Sequence, residues 1–132
     1  MIHAPPDDLA VLRETDAVEQ MLNFKQEGKA KMIGFSGKTQ SAQEEAMPWA
    51  DVFMVEYSKV NQTFEEFLKK AHNQGKLLLI KKAMDSGHLD GNSAISFILN
   101  ESPVKDAIDC TVIGSASLSR MQSNSSAFIL KG

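Results

Sequence analysis

The sequence predicts an α/β fold on a parallel sheet, and three observations carry that expectation. Short apolar runs alternate with helical patterns along the whole chain, the signature of repeated βα units. Four of those runs, starting near residues 31, 52, 77 and 110, are each followed by a helical pattern. One of them, Leu77-Leu78-Leu79-Ile80, is continuously apolar, as expected of a strand covered on both faces rather than a free edge. With 132 residues, 42% of them hydrophobic and 23% charged, the chain holds about one domain with an ordinary core, and no low-complexity linker divides it.

The elements follow in order. Met1-Ile2-His3 is a strand stub. A helix is expected from Thr15 to Gly28, because Val18, Met21, Leu22 and Lys25 follow a 3.6-residue period and Gly28 is a natural C-terminal stop. A strand over Lys31-Met32-Ile33-Gly34-Phe35-Ser36-Gly37 ends in a glycine-flanked serine. Ser41-Ala42-Gln43-Glu44 reads as a capping box that opens the next helix. Val52 to Glu56 is the next strand. Thr63-Phe64-Glu65-Glu66 is a second capping box, followed by the clearest amphipathic helix, with Phe64, Phe67, Leu68 and Ala71 on one face and Gly75 at its end. After the strand at Leu77, residues Asp85 to Asn92 form a polar loop, and Ala94, Ile95, Ile98 and Leu99 mark a further helix. Cys110 to Ile113 is the last strand, and Leu118, Met121 and Gln122 continue into the last helix.

The most informative segment joins those last two elements. Thr111-Val112-Ile113-Gly114-Ser115-Ala116-Ser117-Leu118-Ser119-Arg120 runs from a buried strand through a Gly/Ser-rich turn into a helix start that carries an arginine. Gly114 permits a tight turn, and Ser115 and Ser117 set hydroxyls beside free backbone N–H groups at the positive end of a helix dipole. Arg120 can add a planar fork of donors to the same anion. This is a way to hold phosphate. The same ten residues also suit a plain βα turn in which Ser117 only caps its helix.

Charge and cysteine usage narrow the function classes. A net charge of −3 argues against a protein that grips nucleic acid through its overall field. The single cysteine, Cys110, cannot form an internal disulfide and falls in an expected buried strand, where it reads as packing rather than as a nucleophile. No leader-like opening and no run near the roughly 20 apolar residues that cross a bilayer is present, so the chain reads as soluble and cytoplasmic.

With these turns in this order, nearly the whole chain resembles the C-terminal half of the aldo/keto reductase family of (β/α)8 barrels. Ile2-His3-Ala4-Pro5 is similar to the end of the family's fourth strand, where an active-site histidine is closely followed by a proline. Glu14-Thr15, Gly28-Lys29 and Ile33-Gly34-Phe35-Ser36 resemble a helix that opens with Glu-Thr and leads through Gly-Lys to a strand ending Ile-Gly-Val-Ser-Asn. Val112 to Asn124 resembles the last βα unit almost position for position. The resemblance implies a partial TIM-barrel domain over residues 1–132, of about four βα units plus a strand stub, running from the end of the fourth strand to the eighth helix. It also implies NADP-dependent reduction of aldehydes or ketones to alcohols, with a small carbonyl compound as substrate.

The resemblance further implies roles. His3 matches the histidine that orients the substrate carbonyl, although as a terminal residue of this chain it is equally expected to be disordered. Ser36 matches the serine that bonds the nicotinamide carboxamide, against the plainer reading of a strand-end turn. Ser115, Ser117 and Arg120, with Gly114 in the turn, match residues around the adenosine 2′-phosphate, and Asn124 matches one that contacts adenine. Lys81 stands where a tyrosine commonly stacks on the nicotinamide ring. It could lie along the ring, pair with a pyrophosphate oxygen, or form an ion pair with Glu56.

Departures weigh against a complete enzyme. Gly37 and Met54 stand where the family has an asparagine and a glutamine that hold the carboxamide. The family's aspartate, proton-donating tyrosine and lysine lie on strands that find no match here, and a full barrel needs about 250 residues. Tyr57, the only tyrosine, matches a non-catalytic position. Met1 reads as an internal start or a truncated frame. A half barrel should leave apolar edges unpaired, so self-association through exposed sheet edges is expected. Three readings stay open: a partial chain of an NADP-dependent reductase that is inactive alone, a non-enzymatic NADP-binding module, and a structural half barrel.

Overall fold

The structure, a computed structural model, describes residues 1–129. Its five strands are β1 (Ile2–His3), β2 (Gly34–Ser36), β3 (Val52–Glu56), β4 (Leu77–Lys81) and β5 (Cys110–Thr111), joined through helices α1 (Asp8–Glu14), α2 (Ala17–Gln26), α3 (Gln40–Glu45), α4 (Glu65–Asn73) and α5 (Gly91–Ser96), with α6 (Leu118–Ile129) after the last strand. All neighbours are parallel and the spatial order is β1-β2-β3-β4-β5, the same as the chain order. Right-handed crossovers that always step to the next strand keep every helix on one side of the sheet. Burial follows from this. Phe35, Phe53, Val55, Leu78 and Ile80 are fully buried against Ala42, Ala46, Phe64, Phe67, Leu68 and Ala71. Phe53 meets the ring of Phe67 edge-on at 5.2 Å.

Among the described residues the opposite sheet face carries no helix. There Leu77 is 36% exposed and Val112 47%, and Val52, Met54, Glu56, Leu79 and Lys81 are only partly covered. This corrects the expectation for Leu77 to Ile80: alternate residues are buried and the others look out from the bare face, because coverage comes from one side only. Cys110 is corrected for the same reason. It pairs with Leu79 across the β4–β5 register and is exposed.

Boundaries differ where side chains compete for backbone groups. A helix that the periodicity does not reveal, α1, is capped by Asp7, whose Oδ1 accepts the N–H of Ala10. It ends at Thr15, which is extended at φ −127° and so separates α1 from α2. The start of α2 therefore lies at Ala17, and Gly28 turns the chain at φ +72° as expected. Neither capping box forms. Thr39 caps α3 by accepting from the N–H of Ala42, which places Ser41 inside the helix. Ahead of α4 the hydroxyl of Thr63 donates to Asn61 Oδ1, 2.9 Å away, so Phe64 occupies the cap without a side-chain bond. The strand expected from Lys31 narrows to Gly34–Ser36. The N–H of Ile33 is taken by Asp51 Oδ2 at 2.9 Å. The strand expected over Cys110–Ile113 narrows to two residues, extended by one bond from the N–H of Val112 to the carbonyl of Ile80. The polar stretch from Asp85 opens with a short turn, and the helix begins earlier than its apolar residues suggest, at Gly91, with Asp90 capping Ser93. Its continuation past Ser96 widens into a π-helical turn over Phe97–Glu101.

One polar anchor fixes the turn after β2. Asp8, buried at the start of α1, accepts the N–H groups of Lys38 and Thr39 and the hydroxyl of Thr39 at 2.6, 2.7 and 2.9 Å. Burial alone would raise its pKa, but these bonds outweigh it and hold the carboxyl below the usual value. A carboxyl depressed in the folded state stabilises above its unfolded pKa and loses that contribution as pH falls through the folded one. Asp8→Ala is expected to cost about 2–3 kcal/mol at pH 7 in urea unfolding, with the gap to the parent narrowing below about pH 4. A gap that stays constant down to pH 2 would contradict the bonding. Phe67→Ala is expected to lower stability by about 3–5 kcal/mol, read from the denaturation midpoint, and a loss under about 1 kcal/mol would contradict its place in the core.

Candidate functional site

The sequence-predicted site residues gather at the carboxyl ends of the strands, the edge at which parallel α/β sheets bind ligands. They form two groups. The first surrounds the exit from β5. A cavity of about 530 Å³ is lined by Met84, Asp90, Gly91, Ser115, Arg120 and Asn124, and Gly114 also borders it. Gly114 does not adopt a left-handed conformation, and open space lies where its side chain would be. Glycine thus permits this turn without being required by it, and the bare backbone leaves the cavity open.

Ser115 and Ser117 brace each other. The hydroxyl of Ser115 accepts the N–H of Ser117 at 3.1 Å and donates to its carbonyl at 3.2 Å. The hydroxyl of Ser117 accepts the N–H of Arg120 at 3.4 Å, so Ser117 caps α6, the plainer of its two expected roles. The guanidinium of Arg120 is exposed and has no carboxylate partner among the described residues. Asn124 sits one turn further along α6, its Nδ2 3.9 Å from the sulfur of Met84. Its Oδ1 stands 2.6 Å from the position that a Cβ on Gly91 would take, so glycine at the start of α5 lets α6 approach.

The second group lies on the bare sheet face at the ends of β2, β3 and β4. Lys81 Nζ donates to the buried hydroxyl of Ser36 at 3.1 Å and lies 3.7 Å from Glu56 Oε1. Lys82 reaches the same Glu56 oxygen at 2.7 Å. Of the expected alternatives for Lys81, the contact with Glu56 is therefore present, but shared. Burial foremost, and then the charges of Lys82 and Lys38, push the Lys81 ammonium below the usual lysine range against the pull of Glu56. Burial would raise Glu56, yet the bond from Lys82 and the charges of both lysines bring it below the usual carboxylate range. His3 is exposed, but as part of β1 it is ordered into the sheet opposite Ser36.

A neighbour explains the departure at position 37, and nothing in the structure explains the one at Met54. A side chain at Gly37 would collide with the ring of Phe35, so no amide fits there. Gln43, fully buried and absent from the sequence reading, sends Nε2 to the carbonyls of Gly37 and Met54, each at 3.3 Å, and ties β2 to β3 beneath Ser36. Asp8 also escapes the sequence reading, since its partners lie 30 and 31 residues away and no local spacing announces them. Tyr57 faces the helices instead of the rim. It is fully buried, its hydroxyl 3.0 Å from Ser102 Oγ and its ring stacked on Phe97, and burial foremost raises its pKa.

No family model matches this chain, and no curated protein does. Solved structures do. Two solved structures from Pseudomonas aeruginosa, each provisionally named an aldo-keto reductase, superpose with a TM-score of 0.83 at 21% identity. They cover 96% of this chain and 48% and 49% of their own. The chain thus spans about half the length of the proteins it matches. At this identity the likeness establishes the fold: a parallel α/β sheet equivalent to about half of a chain that bears the aldo-keto reductase name.

Proposed function

We propose that this chain carries the nucleotide-holding part of an NADP-dependent reductase of the aldo/keto reductase type. The observation that carries the reading is the cavity beside the start of α6, bordered by the uncommitted guanidinium of Arg120 and by the backbone of Gly114, Ser115 and Ala116 that leads into the helix. The solved neighbours' names support the reductase part of this reading only.

The residues fit an NADP adenosine end better than a nicotinamide end. At the first, Arg120 would take the 2′-phosphate by its planar fork, the Ser115 hydroxyl would add a donor by giving up its bond to the Ser117 carbonyl, Ser117 would hold the loop as the cap of α6, Gly114 would let the phosphate approach, and Asn124 would face adenine. At the second, Ser36 must exchange the ammonium of Lys81 for a carboxamide, and Gly37 offers no amide. Lys81 would then be released toward the ring or a pyrophosphate oxygen. His3 would orient the carbonyl of a small aldehyde or ketone from the rim.

When bound, the nicotinamide supplies hydride. Tyr57 cannot supply the accompanying proton, since its hydroxyl is buried against Ser102 on the helix side. Carbonyl reduction therefore belongs to an assembly that brings an acid to the bare face, and this chain alone is expected to bind without turnover. The bare face, with Leu77 and Val112 exposed, favours a second reading: a non-enzymatic NADP-binding or structural half barrel that covers this face by self-association.

NADP⁺ at 100 times its dissociation constant is expected to stabilise the chain by about 2.7 kcal/mol, seen as a raised Tm, with NAD⁺ weaker at equal concentration. Arg120→Ala is expected to weaken NADP⁺ binding about 10- to 100-fold in calorimetric titration while leaving NAD⁺ nearly unchanged. Equal weakening of both nucleotides, or none, would contradict the phosphate role.

A further inference from the structure

We propose that Lys81 is an amine nucleophile, poised to condense with a small aldehyde or ketone that reaches the bare face of the sheet. Four features of its position support this. Lys81 is adjacent in sequence to a second cation, Lys82, and the two share a single carboxylate oxygen on Glu56. Lys82 holds that oxygen the more closely, at 2.7 Å against 3.7 Å, so Lys81 has the weaker claim on the only carboxylate beside it among the described residues. Its side chain is only 14% exposed, and its direct hydrogen bond is to a neutral hydroxyl, Ser36 Oγ, at 3.1 Å. Its strand ends at the sheet edge where ligands bind, and the apolar Leu79 and Met54 flank it on the uncovered face.

A lysine beside another cation and partly withdrawn from water gives up its proton more readily than a free one, which is how amines become nucleophiles near neutral pH. The groups facing Lys81 divide accordingly. Lys82, just past the end of β4, and Lys38 after β2 disfavour its charge, as does burial, and Glu56 on β3 favours it. Ser36 on β2 is neutral. Lys82 is held at φ 57°, a left-handed conformation costly for a lysine, so the backbone keeps the second cation beside the first.

The chemistry balances without an oxidant. The Nζ lone pair of neutral Lys81 attacks the carbonyl carbon, a C–N bond forms, and the C=O π electrons move to oxygen, which takes up a proton. That carbinolamine accepts one further proton on oxygen and loses water as the nitrogen lone pair forms C=N. Counting the proton lost from nitrogen, amine, carbonyl and one proton yield a protonated imine and water. Glu56, between the two lysines, is placed to relay the proton that leaves nitrogen. No nucleotide takes part, so the assignment stands or falls independently of NADP binding.

The test is reductive trapping on the full chain without nucleotide. Propanal with sodium cyanoborohydride converts any imine into a stable N-propyl lysine by hydride addition to the imine carbon, and peptide mass spectrometry locates the product. At pH 7, Lys81 is expected to be labelled at least about tenfold faster than Lys31 and Lys105. Lys82→Met leaves Glu56 to Lys81 alone, and trapping at Lys81 is expected to slow about tenfold, with circular dichroism and the urea midpoint confirming the fold. Labelling of Lys81 no faster than of the two reference lysines would overturn the proposal. So would a fast rate that Lys82→Met leaves unchanged, since the paired cation would then not be its cause.

Discussion

Everything in this molecule depends on a one-sided sheet. Because strand order equals chain order, crossovers of the usual right-handed kind bring the described α-helices to one face. The packing of Phe53 on Phe67, with Leu78, Ile80 and Val55 beneath α4 and its neighbours, closes that face. Those residues alternate with Met54, Leu79, Glu56 and Lys81, which must then point away from every helix. A one-residue slip in register would exchange the two sets, burying Glu56 and Lys81 under the helices, so the core itself dictates which side chains face the open side.

The same constraint separates two chemistries along one edge. At the exit of β5 the backbone leaves the sheet and enters α6, and the features there suit an anion: a helix N-terminus, capped by Ser117, with Arg120 unclaimed. At the ends of β2 to β4 two lysines share one glutamate, with a serine as the neutral partner, so the cluster keeps an excess of positive charge. The first group is ready for a ligand that brings negative charge. The second already holds its own counter-charge in Glu56, which both lysines share.

Much of this was legible in the residues and some of it was not. The apolar run at Val52–Glu56 and the i, i+3, i+4, i+7 pattern of Phe64, Phe67, Leu68 and Ala71 appear in the structure as read, because hydrophobic periodicity reports on packing directly. Where the reading failed, a hydroxyl or carboxyl had several partners to choose from. Thr39 displaced Ser41 as a cap, Thr63 turned to Asn61, and Asp51 took the N–H of Ile33. Cys110 and Leu79 were misplaced for another reason: apolar character marks a residue that can be buried without saying whether anything covers it. For the site, the Ser115 to Asn124 segment was readable because its parts are contiguous. Asp8 and Gln43, which hold the Ser36 corner from other elements, could be found only in three dimensions.

The central claim is that the α6 entry loop holds the phosphate on the 2′ position of an adenine nucleotide. Backbone amide spectra of the labelled chain, recorded while 2′-AMP is added and again with 5′-AMP, test it most directly. The account predicts saturable shifts clustered on the amides of Ser115 to Arg120 with 2′-AMP, and much weaker ones there with 5′-AMP. Shifts centred elsewhere, or the same response to both isomers, would contradict it.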